Sequence, residues 1–241
     1  VRAVMMIPMW KRPELTNYVF RYYDKLKVTL LPDIELILLA IGSEGKASKG
    51  IAERNGFDYV EYPNMPLNRK HNAGVERAKI YNPDKLFVAN SDNIISANYF
   101  KFVATESKLA TGLLDLYFLN FKERELGYWE GYQTERKGEP LGIGRCFDRE
   151  VLERCSWQLW PQEQKFAHRM DGLCKERLAS FGIKFEAYTM ADIGCFAMDV
   201  KTDVNICSWN DYNYKEIIKD NALNEILRRA DVADILDLPI F

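Results

Sequence analysis

The chain has 241 residues, 47% hydrophobic and 28% charged, a balance that supports a substantial core and excludes a disordered or low-complexity protein. A formal net charge of −2 supplies no basic field, so neither nucleic acid nor an anionic membrane surface is demanded as a partner. No apolar run approaches the roughly 20 residues of a membrane-spanning helix, so no integral membrane segment is expected.

The first ninety or so residues alternate regularly. Residues 2–7 read as a strand and 8–13 as a loop, and residues 14–27 then place Leu15, Tyr18, Val19, Tyr22 and Leu26 on one helical face. Residues 34–41 are almost unbroken apolar sequence, the pattern of a strand covered on both sides. A short helix over 47–54 and a strand over 57–62 follow. Asn68 then looks like the N-cap of a helix through Ala73, Val75 and Ala78, and residues 86–89 form a fourth strand. Such β-α units with right-handed crossovers predict an α/β chain with a mostly parallel central sheet flanked by helices.

Beyond residue 95 the alternation breaks, and a mixed α+β half is expected. Residues 97–108 look helical, and 113–121 are too apolar for a loop. The polar, aromatic stretch 122–138 reads as a mobile loop or lid. A strand precedes a helix near Glu150, a second helix covers 167–181, and strands are expected at 185–190 and 196–200. Residues 214–229 carry the stripe of a terminal amphipathic helix. The expected organisation is one domain with a nucleotide-binding half (1–95), an acceptor-binding half (96–205) and a helical extension (206–241). The five cysteines are odd in number and contain no Cys-x-x-Cys pair, so they read as free thiols. With no leader-like sequence at the start, a cytoplasmic location is expected.

The run Leu86-Phe87-Val88-Ala89 ends abruptly in Asn90-Ser91-Asp92-Asn93. Open α/β sheets bind ligands outside the carboxyl ends of their strands. A lone aspartate delivered there suits a divalent cation carrying a diphosphate, with Asn93 able to add a neutral oxygen. The bland alternative is an Asx-type turn. Arg69, Lys70 and Asn72 open a helix whose amides favour a phosphate.

Residues 7–15 (Ile-Pro-Met-Trp-Lys-Arg-Pro-Glu-Leu), 66–74 (Pro-Leu-Asn-Arg-Lys-His-Asn-Ala-Gly) and Ser91-Asp92-Asn93 resemble, in order and spacing, the motifs of GT-A-fold glycosyltransferases of the family-2 type. Gly142-x-Gly144-Arg145, Leu159-Trp160 and Met170-Asp171-Gly172 resemble the later elements. The resemblance implies a nucleotide-sugar donor, a manganese or magnesium ion on Asp92 and Asn93, and Asp171 as the base that deprotonates an acceptor hydroxyl in an inverting transfer. It further implies donor contacts from Pro8, Trp10, Arg12, Gly42, Arg69, Lys70, Asn72, Ser91 and Arg145, and sugar contacts from Trp160 and Gly172.

Trp10 could stack on a base or pack on the first helix. Arg12 could reach phosphate or pair with Glu14, and Arg145 and Trp160 could equally serve the core. Lys201 could reach the diphosphate or stand at an exposed strand end, and Glu163 and Asp192 are weaker candidates for the base. The family pattern departs at Ala40-Ile41-Gly42, where an Asp-Asp-Gly-Ser run is common, and at Asn93, where a second carboxylate is common. Two other readings stay open: a sugar-phosphate nucleotidyltransferase, whose glycine-rich loop the Pro8–Pro13 segment lacks, and a non-catalytic carbohydrate-binding or scaffold protein. The acceptor class (glycan, protein, lipid or modified nucleic acid) is left open.

Overall fold

The computed structural model describes residues 1–162, 170–205 and 207–239. In chain order the elements are β1 (Arg2–Pro8), α1 (Pro13–Leu30), β2 (Glu35–Gly42), α2 (Lys46–Arg54), β3 (Asp58–Glu61), α3 (Leu67–Ala78), β4 (Lys85–Val88), β5 (Asn93–Ile95) and α4 (Ala97–Thr105). Then come β6 (Ala110–Leu113), β7 (Leu116–Asn120), β8 (Glu125–Trp129), β9 (Arg145–Asp148), α5 (Arg149–Arg154), α6 (Met170–Ser180), β10 (Phe185–Tyr188), α7 (Met190–Ile193), β11 (Ala197–Lys201), β12 (Glu216–Ile218) and α8 (Asp220–Arg229).

The central sheet has the order β10-β6-β9-β4-β1-β2-β3. The pairs β1/β2, β2/β3 and β1/β4 are parallel, and β9 is antiparallel to both β4 and β6. Strand β1 shows why its sequence is apolar throughout. Ala3, Met5 and Ile7 enter the core that holds Leu15, Val19 and Tyr23 of α1, while Val4 and Met6 enter the core that holds Val75 of α3. Both faces are covered, as a parallel sheet requires. Gly74 is demanded by this packing, because a Cβ there would lie 2.7 Å from Ile41 Cδ1. A second sheet, β12-β8-β7-β11-β5, stands against the carboxyl side of the first half.

Three expectations are corrected. Residues 122–138 are not wholly a loop: β8 pairs antiparallel with β7 over five residues, with Leu126 and Gly127 buried and Tyr128 half-buried. The sequence 214–229 is not one helix, since Glu216–Ile218 pairs with β8 before α8 begins. Asn68 is not an N-cap. The helix begins one residue before it, after an extended Pro66, and Asn68 Nδ2 donates instead to the carbonyl of Pro161 at 2.5 Å. Among the described residues no helix is long and apolar enough to cross a membrane.

Candidate active site

The chain winds outward from β1 through β2 to β3, then returns to lay β4 on the other side of β1. That reversal is the topological switch point, where the carboxyl ends of adjacent strands diverge and leave a crevice. A cavity of about 580 Å³ opens there. The loop after β1 enters it through two consecutive left-handed residues, Lys11 (φ 56°) and Arg12 (φ 51°), a backbone that costs non-glycine residues on the order of 1 kcal/mol each. Such cost concentrates where a side chain must be aimed.

The aimed side chain is Arg12. Its Nη1 donates to Asp92 Oδ2 at 2.5 Å, and Nη2 reaches Ser91 Oγ at 3.4 Å. Burial alone would lower the Arg12 pKa, but the charge and hydrogen bond of Asp92 outweigh it and raise the value. Asp92 Oδ2 also accepts from Asn205 Nδ2 at 2.8 Å. The side chain of Asn205 is oriented by the Thr202 amide and hydroxyl, at 2.7 and 2.8 Å from its oxygen.

Opposite stands Asp199 of β11, which the antiparallel register places directly across from Asn93. Burial, then the neighbouring Asp92 charge, pushes the Asp199 carboxyl up to about 6. Lys201 Nζ lies 3.1 Å from Asp199 Oδ1, yet that buried oxygen accepts no well-directed hydrogen bond. Lys201 is itself buried, with its ammonium 4.4 Å from the Phe118 ring centroid, so it is not an exposed strand end.

Asn93 takes a different part from the expected one. Its Oδ1 accepts the Asn90 backbone N–H at 2.8 Å, which fixes the amide orientation. The Nδ2 end therefore faces the carboxylates, 3.3 Å from Asp92 Oδ1 and 3.1 Å from Asp199 Oδ2. Asn93 offers the site donors rather than a metal-binding oxygen, and its Oδ1 reaches back to the Asn90 N–H instead of forward as an Asx turn would.

The same cavity is lined by Asp171, in the first turn of α6. Tyr132, from the segment after β8, donates its hydroxyl to Asp171 Oδ2 at 3.0 Å. Burial and the nearby Asp171 charge raise the Tyr132 pKa, which keeps the phenol protonated as a donor. Gly142 is tight against the same carboxylate, since a Cβ there would come within 2.8 Å of Asp171 Oδ1. Lys70 and His71 also line the cavity. Lys70 Nζ ties the ends of the first two strands together, donating to Met9 O (2.7 Å), Asn64 Oδ1 (3.0 Å) and Ser43 Oγ (3.4 Å). Burial lowers its pKa to about 8. His71 Nδ1 lies 2.8 Å from Leu67 O and so carries the proton, and burial lowers the ring to about 4.

Of the residues singled out from sequence, Pro8, Trp10, Arg12, Lys70, Asp92, Asn93, Gly142, Asp171 and Lys201 line this one cavity. Ser91 lies behind it as a partner of Arg12. The others serve the frame. Arg145 is buried, and its guanidinium donates to the carbonyls of Leu141, Pro140 and Asp171, with Nη2 3.7 Å from Asp171 Oδ1, so it braces the start of α6 and does not line the cavity. Asn72 clamps the backbone of Trp160, donating to its carbonyl at 2.7 Å and accepting its N–H at 3.1 Å.

Trp160 is buried against His71, with its indole N–H on Met170 O, and presents no open platform. Arg69 reaches the carbonyl of Gln162 at 3.2 Å. Gly42 lies beneath Tyr59 and Ser48, each 2.6 Å from where a Cβ would be. Gly172 has open space beside it but does not line the cavity. Asp192 closes a capping box with Thr189. Glu163 falls outside the described residues. Sequence reasoning passed over Tyr132, Asn64, Asn205 and Tyr212, all on the cavity wall. Only Asn205 carried a local signal, a Thr-x-x-Asn turn just past a strand.

No family model matches the chain, and no curated protein matches it. Solved structures do. Staphylococcus aureus TarS (residues 1–349) aligns at TM-score 0.54 and 12% identity, over 100% of this chain and 67% of that one. 4-Diphosphocytidyl-2C-methyl-D-erythritol synthase from Anaerococcus prevotii aligns at 0.52 and 10%, over 78% and 87%. The fold is GT-A. A Drosophila β1,4-galactosyltransferase 7 variant, crystallised with manganese, UDP-Gal and xylobiose, aligns at 0.48 and 10% identity. The alignment covers 77% of the present chain and 64% of that enzyme, so this chain spans under two thirds of its length. At these identities the likeness is one of architecture.

Proposed function

We propose that the protein is a nucleotide-sugar-dependent glycosyltransferase that moves a sugar to an acceptor hydroxyl with inversion. The observation that carries this reading is that one cavity is lined by two separate clusters. Arg12, Lys201, Asp92 and Asp199 form one, and Asp171 with its tyrosine donor forms the other. A diphosphate leaving group needs cationic stabilisation where its charge develops, and the acceptor needs a base on the far side of the sugar.

The donor set fits a divalent cation. Asp92 and Asp199 are hard oxygen ligands, and the orphaned buried Oδ1 of Asp199 lacks a directed partner. No group of three or more His, Cys, Asp or Glu side chains gathers among the described residues, so such an ion would fill its shell with donor oxygens and water, as magnesium commonly does. When bound, the ion neutralises charge on the departing diphosphate. Asn93 and Asn205 hold the two carboxylates in place through their amide N–H groups, and Arg12 is free to turn from Asp92 to a phosphate oxygen. Lys70 and Asn64 shape the seat for the base and ribose between the ends of β1 and β2. Asp171, held by Tyr132 and by Arg145 at its own carbonyl, takes the acceptor proton.

The test begins with a thermal-shift screen of nucleoside diphosphates and their sugars, with and without manganese, and continues with turnover of the best donor. Asp171→Asn is expected to lose at least a hundredfold in turnover while retaining nucleotide binding. Release of inorganic pyrophosphate from a nucleoside triphosphate and a sugar phosphate would instead identify a nucleotidyltransferase, which shares the architecture. Binding without any turnover, in the parent chain, would identify a carbohydrate-binding scaffold.

A further inference from the structure

A second cavity, about 840 Å³, is separate from the one just described. Strand β7 separates the two by simple alternation: Leu116 and Phe118 point into the first cavity and Tyr117 into the second, on the opposite face of the sheet. The floor of the second cavity is aromatic. Tyr117 and Phe196 lie face to face at 5.6 Å and 24°, both half-buried, and Tyr22 joins them with its hydroxyl on the Ile95 carbonyl. The rim is cationic. Arg21 and Lys25 come from α1, and Arg228 and Arg229 end α8 on the other side.

The rim acids do not balance these charges. Asp234 is engaged by the Tyr18 hydroxyl at 2.6 Å and by Arg21 at 3.8 Å, and Asp231 stands alone against the rest. Arg229 pairs with Glu225. Lys25 and Arg228 have no ion pair among the described residues. Unpaired cations facing one another across a groove repel, and an anion between them removes that repulsion. Ring faces below suit the apolar C–H face of a sugar, while the cations suit its charged substituents. The volume lies within the range of ligand sites, roughly 300–1,000 Å³.

We propose that this cavity binds an anionic oligosaccharide, a glycan carrying carboxylate or phosphate groups, at a site separate from the cavity that holds Asp92 and Asp171. The site is a concave seat with an aromatic floor rather than a continuous basic stripe, which favours a glycan over a nucleic acid. It does not depend on the transfer reaction proposed above.

The test uses the intact chain and three probes: a hexameric oligogalacturonate, neutral maltohexaose, and a single-stranded DNA 12-mer, each titrated by calorimetry at low and moderate salt. Oligogalacturonate is expected to bind at least tenfold more tightly than maltohexaose, and to weaken with salt. Lys25→Glu with Arg228→Glu should weaken it at least tenfold more, with an unchanged melting temperature because both side chains are exposed. Lys25→Gln with Arg228→Gln gives a milder loss in the same direction. Equal affinity for the charged and neutral hexamers, no effect of either double variant, or tighter binding of DNA than of oligogalacturonate would each overturn the proposal.

Discussion

Replacing Tyr132 with phenylalanine removes one oxygen from the cavity and little else. The ring keeps its place, because Arg136 lies 3.4 Å over its centroid and Trp129 meets it edge-on at 5.2 Å. What disappears is the hydroxyl that donates to Asp171 Oδ2 at 3.0 Å. A hydrogen bond to a charged group contributes about 1.5–3 kcal/mol. If Tyr132 holds the carboxylate in the rotamer that meets the acceptor, most of that is felt only in the transition state. The expected loss in kcat is therefore on the order of ten- to a hundredfold, with KM for the nucleotide donor changed by less than about twofold. The assay is nucleoside diphosphate release at saturating donor. The double variant with Asp171→Asn is decisive, since once the carboxylate is gone the tyrosine has nothing left to position, and the two losses should not multiply. A Tyr132→Phe enzyme with parental kcat, or losses that multiply fully in the double variant, would refute the positioning role.

Three more outcomes follow from the geometry. His71 is buried with a pKa near 4 against an ordinary 6.5, so the unfolded chain binds the extra proton between those values and stability falls as pH drops below 6.5. The penalty is about 2 kcal/mol at pH 5, and His71→Gln should lose about that much less than the parent between pH 7 and pH 5 in denaturant titrations; identical pH slopes would contradict it. Asp199→Asn removes one of the two adjacent buried carboxylates, so it should abolish any manganese-dependent gain in nucleotide binding; retention of that gain would remove Asp199 from the cation seat. Asn72→Ala leaves the buried Trp160 backbone N–H and C=O without partners and should cost about 1–3 kcal/mol in denaturant stability, yet the folded variant should bind nucleotide like the parent; a selective loss of nucleotide affinity would return Asn72 to the ligand site.

How far the sequence could be read follows from the range of the forces involved. The parallel half was legible because burial on both faces writes itself into consecutive residues, as in Met5-Met6-Ile7 and Leu38-Leu39-Ala40-Ile41. Asp92 and Arg12 were legible for the same reason, since each follows directly on the end of such a strand. The second sheet was not. Its strands are short, and β8 and β12 gain their hydrogen bonds from partners separated by up to about a hundred residues, so Glu125–Trp129 read as a loop and Glu216–Ile218 as part of a helix. Arg145, Asn72 and Trp160 were seen as chemically rich residues but are consumed by backbone carbonyls and amides. Nothing in residue type separates an arginine aimed at a ligand from one that caps a loop; only the fold decides.

That distinction also explains how the site manages with an asparagine at position 93. The resembled motif would place a second acid there, one residue along the chain from Asp92. Here the second acid comes from across the sheet, because β5 and β11 run antiparallel with Asn93 opposite Asp199. The asparagine between them donates to both carboxylates, which an acid at that position could not do, and so offsets part of the repulsion that two buried anions would otherwise exert. Arg12 and Lys201 offset the rest. The cluster is thus electrically balanced on its own, with two cations against two anions. A diphosphate entering alone would break that balance, whereas one entering with a divalent ion would largely preserve it. Under the proposed function the arrangement couples donor and cation, through the carboxylate that the linear motif lacks and the sheet restores.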